Sequence, residues 1–258
     1  MKITNIETYP VWGGHRNFLF VVVDTDDGYH GVGEAGLTGR ELAVIGAIEH
    51  FKPLLIGENP FRIEYIWQKL FRGGFFPAQR ILTSAMAAID MALWDIKGKA
   101  YGKPVYQLLG GLARKKVRLY GHVTGRSPDE IAEQARQRVS RGITAIRFRG
   151  FHTYDDRDLH DHQLAIDQQI SYLKAIRAEV GDDIDIILEC HGRYDPVWAI
   201  ELARRAEPYH PYVIEDPVRH ENPQALAQVR AHTALPLATG ERYHNKWEFR
   251  ELVVNQYV

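Results

Sequence analysis

The segment LECHGRYDP, residues 188–196, places Glu189, His191 and Arg193 at every second position, directly after the apolar run IDIIL. In an extended chain, positions i and i+2 share one face. Three ionisable side chains are therefore expected to crowd together at a strand end, where a carboxylate is costly to bury unless its charge is compensated. Two more glutamates follow in step, Glu215 in VIEDP and Glu241 in ATGER, at equal intervals of 26 residues. Any one of them alone reads as a solvated loop residue or an ion-pair partner. Three at equal heights on neighbouring strands would repel one another, and a bound cation is the simple compensation. Ligands made only of carboxylate oxygens point to a hard metal, Mg²⁺ first. Equal spacing also arises wherever strand–helix units have similar lengths, so the spacing alone does not settle the matter.

The elements that must position these groups fall into two architectures, predicted over residues 1–114 and 115–258. KITNIETYPVW, FLFVVVDTDDG and HGVGEAG read as an antiparallel meander, with DDG as a hairpin signal. Helical patterns follow in GRELAVIGAIEHFKPLLIG, FRIEYIWQKLFRG and SAMAAIDMALWDIKGKAYG, the last carrying Ala85, Ala87, Ala88 and Ala92 for close packing. Beyond LLGGLARKK the rhythm changes to strand–helix alternation. VRLYGHVTG, TAIRFRGF, DIDIILEC, PYVIEDP and LPLATGER read as strands, each followed by a helix, and QYV is expected to open a sixth strand. Ser127 and Pro128 mark one helix start as N-cap and first helical residue. Such alternation implies a parallel sheet with right-handed crossovers. A doubly wound sheet and a β/α barrel both satisfy it, and the step of the glutamates favours the barrel, whose strand ends converge on one mouth.

Composition excludes several classes of function. The 258 residues, 45% hydrophobic and 11% aromatic, can bury a substantial core. A formal net charge of −1 gives no basic field for nucleic acid, and no Lys/Arg run marks a membrane surface. The start MKITNIETYPVW carries no long apolar leader, and nowhere do eighteen uncharged apolar residues run together. With Cys190 as the single cysteine, no internal disulfide forms, and the cytoplasm is the expected location.

The segment AMAAIDMALWDIKGKAYGKPVYQLLGG, residues 85–111, resembles the signature helix of the mandelate racemase/muconate lactonizing enzyme branch of the enolase superfamily, and the three glutamates resemble that family's magnesium ligands. The similarity runs along nearly the whole chain. It implies an α+β capping domain and a modified TIM barrel. GEAGLTGRELAV (33–44), LYGHVTG (119–125), AIRFRGF (145–151) and HGRYDP (191–196) are most similar to mannonate- and gluconate-type sugar-acid dehydratases. The resemblance therefore implies an Mg²⁺-dependent hydro-lyase that forms a 2-keto-3-deoxy sugar acid, working as a symmetric homo-oligomer.

Removing a proton α to a carboxylate needs strong stabilisation of the ene-diolate, which a metal on that carboxylate supplies. The neighbouring hydroxyl must then leave as water with the help of a general acid. His191, two positions from Glu189, is expected to fill that role, since imidazole titrates near working pH. Racemase-type relatives carry a Lys-x-Lys pair where this chain has Arg147-Phe148-Arg149. In mannonate-type relatives an arginine resembling Arg147 works with a loop tyrosine, for which Tyr154 is the candidate; His152, His160 and His162 are alternatives. Arginine itself stays protonated and is a poor base. Similarity also assigns His122 and Thr38 to substrate contact, although relatives often carry asparagine at the latter position. Arg149, Arg193 and His244 are expected to reach substrate hydroxyls, with Arg193 equally placed to orient Glu189 from behind.

The pattern gives five complete strand–helix units and a fragment, fewer than an eight-stranded barrel. Three readings remain: the dehydratase, a racemase or epimerase using the same intermediate, and a metal-binding scaffold whose incomplete barrel does no chemistry.

Overall fold

The computed structural model describes residues 1–150 and 161–258. They form two compact units, Met1–Lys115 and Lys116–Val258, in a mixed α/β chain.

In the first unit, β1 (Ile3–Trp12), β2 (Asn17–Thr25) and β3 (His30–Ala35) form an antiparallel sheet in that order. The DDG turn joins β2 to β3, with Gly28 in the left-handed region. Strict alternation in β2 buries Leu19, Val21 and Val23. Four helices follow, α1 (Glu41–Leu55), α2 (Ile63–Arg72), α3 (Ile81–Tyr101) and α4 (Val105–Leu108). Ala85, Ala88 and Ala92 of α3 are fully buried, whereas Ala87 faces solvent. The small residues permit a close approach: a methyl group on Gly31 or Gly33 of β3 would overlap the carbonyl oxygens of Ala92 and Ala88. The helix also serves the edge strand, since Asp95 accepts from the Val32 N–H at 2.9 Å while Lys99 bridges Asp95 and the His30 carbonyl, both at 2.8 Å.

The second unit alternates β4 (Gly121–Val123), α5 (Pro128–Ser140), β5 (Ala145–Phe148), α6 (His162–Val180), β6 (Asp185–Glu189), α7 (Pro196–Ala206), β7 (Val213–Glu215), α8 (Pro223–Arg230), β8 (Leu237–Ala238) and α9 (Lys246–Val254). The strands lie parallel in sequential order, β4 to β8. A doubly wound sheet reverses strand order part-way; uninterrupted order with right-handed crossovers keeps the helices on one side and builds an arc of a barrel. Phe148, Leu188, Ile214 and Leu237 are in register on the helix side, packed with Ile131, Ile166, Leu173 and Leu202. Four of the five described helix starts are capped by a side chain: Ser127, Asp161, Asn222 and Asn245 each accept from a backbone N–H of the first turn, whereas Asp195 before α7 does not. Each such cap contributes about 1 kcal/mol.

Three local expectations are corrected. The first strand of this unit occupies only Gly121–Val123 of VRLYGHVTG. QYV does not open a strand: Gln256 adopts a left-handed conformation, and the Tyr257 and Gln256 N–H groups bond back to Leu252 and Val253 carbonyls, closing α9. The last strand stops at Ala238, which pairs with Glu215, so Glu241 lies three residues beyond the height of the other two glutamates. No described helix is long and apolar enough to cross a membrane.

Candidate functional site

Arg147 is the centre of a charged cluster on the sheet face opposite the helices. Register places it beside His122 of β4 and Ile187 of β6, and on that same face Glu189 and Glu215 stand directly opposite each other. Its guanidinium donates through Nε to Glu215 Oε2 at 2.9 Å and through Nη2 to Glu189 Oε2. Glu189 is 0% exposed and Glu215 21% exposed, so the more deeply buried charge depends most on this pairing.

His191 reaches the cluster by a route other than strand alternation. β6 ends at Glu189, and His191 takes a left-handed turn (φ 49°) that brings its own N–H to Glu189 Oε1 at 2.6 Å. The ring then lies between two guanidiniums, with Nδ1 3.2 Å from Arg149 Nη1 and Nε2 3.4 Å from Arg147 Nη2. Burial first, and then Arg149 and Arg147, push the imidazole down to about 4. It is therefore neutral near pH 7 in this arrangement, unlike the near-neutral titration expected from sequence. His122, stacked on Tyr120 at 5.5 Å, is also lowered, by burial and then by Arg147.

Glu241 stands in the turn after β8 and is pushed above the usual carboxylate range, by burial and then by the negative charge of Asp216, with Arg147 opposing. The three glutamates thus share one electrostatic field, but among the described residues no three His, Cys, Asp or Glu side chains converge at metal-ligating distance. The donor chemistry nonetheless fits a hard divalent cation: carboxylate oxygens at two consecutive strand ends, Glu189 and Glu215, already face one another, and a third carboxylate, Glu241, follows the next strand.

The remaining expected residues scatter. Arg193 lies half-buried in the turn after His191, its N–H on the Cys190 carbonyl at 3.1 Å. The His244 N–H donates to Glu248 Oε2 at 2.6 Å in the cap of α9, and His244 lines a cavity of about 630 Å³ with Tyr243, Phe249 and Val253. Thr38 is exposed in the turn between β3 and α1 of the other unit. His162 stacks on Trp198 at 5.5 Å, against the helices. Tyr154, His152 and His160 lie outside the described residues.

Sequence reasoning missed the groups that hold this arrangement from behind. Gln169 of α6, 0% exposed, donates to the Glu189 carbonyl at 2.8 Å and accepts from the Tyr194 hydroxyl at 2.6 Å. Its signal was readable, because Gln169 falls on the apolar stripe of Ala165, Ile166, Leu173 and Ile176. Asp216, beside Glu215 in VIEDP, is 1% exposed and takes the Thr239 hydroxyl on Oδ1. Burial pushes the Cys190 thiol and the Tyr194 phenol far up, so neither is reactive.

The chain thus carries an α+β unit and a sequentially ordered parallel β/α unit with carboxylates at two consecutive strand ends. Residues 13–110 match the mandelate racemase/muconate lactonizing enzyme N-terminal domain, and residues 130–258 the enolase C-terminal domain-like family. The chain is 39% identical over 253 residues to a D-galactonate dehydratase of Verminephrobacter eiseniae, covering 98% of this chain and 65% of that protein. It is 37% identical over 281 residues to the D-galactonate dehydratase family member ManD of Chromohalobacter salexigens, covering all of this chain and 70% of that one. Among solved structures, an enolase from Pantoea ananatis with bound D-gluconate and Mg superimposes with a TM-score of 0.91 at 32% identity, over all of this chain and 69% of that one. A member of the enolase superfamily from Salmonella Typhimurium gives 0.91 at 33% identity, over 100% and 72%. The protein belongs to the mandelate racemase/muconate lactonizing enzyme family of the enolase superfamily. The chain spans 65% of the length of the D-galactonate dehydratases it matches.

Proposed function

We propose that the protein dehydrates an aldonic acid, such as gluconate, mannonate or galactonate, to the 2-keto-3-deoxy acid, with Mg²⁺ held by Glu189, Glu215 and Glu241. The observation that carries this reading is the grouping of Glu189, Glu215, Arg147 and His191 on one face, with Arg149 on the far side of the imidazole. Bound at the three carboxylates, Mg²⁺ supplies the positive charge that stabilises the ene-diolate.

The chain's own residues bind, orient and move protons. Arg147 and Arg149 attract the anionic substrate and orient its oxygens through their fixed donor forks. An anion arriving there offsets the two guanidinium charges that add to burial in holding His191 down, which raises its proton affinity. Its Nε2, next to Glu189, is then able to carry a proton to the departing hydroxyl. The proton α to the carboxylate goes to a base that Arg147 positions, for which Tyr154 stays the candidate. His122, beside Arg147 on the same face, orients the sugar hydroxyls, together with Arg193, His244 and Thr38. Assembly as a symmetric homo-oligomer belongs to the same reading.

The purified protein with Mg²⁺ is incubated with a panel of aldonic acids, and keto-acid is assayed. Keto-acid formed by the wild type and lost in Glu189→Gln and His191→Ala supports the dehydratase. Exchange of the α-proton without keto-acid favours the racemase or epimerase, and a folded, metal-loaded protein that does neither favours the scaffold.

A further inference from the structure

We propose that Arg242 is a positioning residue that ties three strand-end loops together and thereby sets how tightly Glu189, Glu215 and Glu241 hold a divalent cation. The inference rests on the assignment of those glutamates as ligands. Its basis is a contact among the turns that follow the three glutamates: Asp216 directly follows Glu215, Arg242 directly follows Glu241, Gly192 lies three residues beyond Glu189, and these three residues meet one another. The Arg242 guanidinium is 3.3 Å from Asp216 Oδ2 and 3.4 Å from the Val218 carbonyl. It also lies flat against Gly192, where any Cβ would overlap Nη1, Nη2 and Cζ. Gly192 has φ 64°, a conformation that favours glycine, and its missing side chain leaves room for the guanidinium.

The backbone closes the same ring. The Gly192 N–H donates to the Asp216 carbonyl at 2.6 Å, and the Asp216 N–H donates to the Ala238 carbonyl at 2.8 Å. Asp216 is held in a left-handed conformation (φ 47°), rare for a non-glycine residue, with its carboxylate 1% exposed and bonded to Thr239. Neighbouring side chains on an extended or turning chain point different ways. A layer locked by Arg242 therefore fixes the direction of Glu215 and Glu241, one residue earlier, and of the turn at His191, whose N–H holds Glu189 Oε1. The Asp216 charge keeps the guanidinium from swinging out, and the guanidinium keeps that buried charge from repelling Glu241.

Mg²⁺ uptake is measured by calorimetry, and thermal stability alongside it, for wild type, Glu189→Gln, Arg242→Met, Arg242→Lys and the double variant Asp216→Asn/Arg242→Met. The expected result is at least a tenfold weaker Mg²⁺ affinity in Arg242→Met, with Arg242→Lys intermediate. The double variant removes the uncompensated carboxylate, and asparagine tolerates the left-handed backbone, so it recovers the melting temperature while its Mg²⁺ affinity stays at least tenfold down. A role in folding alone predicts that affinity returns together with stability, which overturns the proposal; so does wild-type uptake by Arg242→Met. Should Arg242→Met fail to fold, the double variant decides by the same criterion. Undiminished uptake in Glu189→Gln defeats the ligand assignment itself, whereas loss in Glu189→Gln with retention in the double variant defeats only the positioning role.

Discussion

Replacing Arg147 with methionine keeps much of the side-chain volume and deletes the charge that two carboxylates share. Glu189 is 0% exposed, so its carboxylate stays out of water after the change. Removing one partner of a buried pair costs about 3–5 kcal/mol. Glu215 is 21% exposed, and solvent screening limits its share to roughly 1 kcal/mol or less. The His191 N–H, 2.6 Å from Glu189 Oε1, survives the substitution and offsets part of the loss. The expected destabilisation is therefore about 3 kcal/mol, at the low end of that range, or roughly 6–12 °C in melting temperature. Denaturation in the presence of a chelator is followed for wild type, Arg147→Met, Glu189→Gln and the double variant. Because the penalty resides in the unpaired carboxylate, the double variant is expected to be more stable than Arg147→Met, with a coupling energy of at least about 2 kcal/mol. Additive single effects, or an Arg147→Met protein within about 1 kcal/mol of wild type, would refute the view that Arg147 is what makes burial of Glu189 tolerable.

Gly33→Ala places a methyl group on the Ala88 carbonyl of α3 and is expected to cost about 3 kcal/mol or to prevent folding, read by urea denaturation. Gly46→Ala, in α1 with nothing within 4 Å of the new Cβ, is the control and should stabilise by about 0.5–1 kcal/mol through helix propensity. Asp90, half-buried on α3, is pushed up by burial and then by Glu64. A carboxyl whose folded pKa lies above its unfolded value of 3.8 helps the fold only while protonated, and that help is lost as pH rises through the folded pKa. Asp90→Asn should therefore melt above wild type at pH 7, with the gap closing as pH falls toward 4; equal melting at pH 7 contradicts this. The Cys190 thiol, fully buried and pushed up by that burial, should resist alkylation at pH 8 in the folded protein and react fully in urea.

Strand–helix alternation, cap residues such as Ser127 and the match of glutamates to strand ends were legible because each is encoded within one element or its border. Glu189 and Glu215 fall opposite each other since β6 and β7 both end on those residues. Glu241 does not, because the length of β8 is decided by pairing with β7 and by the turn through Gly240, which spacing cannot report. His191 was placed beside Glu189 for the wrong reason: alternation predicted a shared strand face, whereas a left-handed turn delivers the ring. Its depressed imidazole depends on burial and then on Arg149 and Arg147, just beyond and within the neighbouring strand β5, surroundings no local pattern contains. The partners of Gln169 and Arg242 were invisible for the same reason, each acting across loops or layers distant in sequence, although the place of Gln169 on an apolar stripe was legible.

The charges in contact at this face point to what it is built to receive. Glu189, Glu215, Asp216 and Glu241 are met by Arg147, Arg149 and Arg242, while His191 is neutral. With every carboxylate ionised, the cluster carries one net negative charge. A monoanion alone would deepen that excess, and a divalent cation alone would overshoot neutrality. A divalent cation together with one carboxylate ligand brings the sum to zero, which favours ordered pairing of metal and organic anion over either alone. Competition follows from the same geometry. The Glu189 and Glu215 oxygens that now accept from Arg147 are those a cation would take, so Arg147 must turn toward an incoming anion as the metal seats, and the two ligands should each raise the affinity for the other.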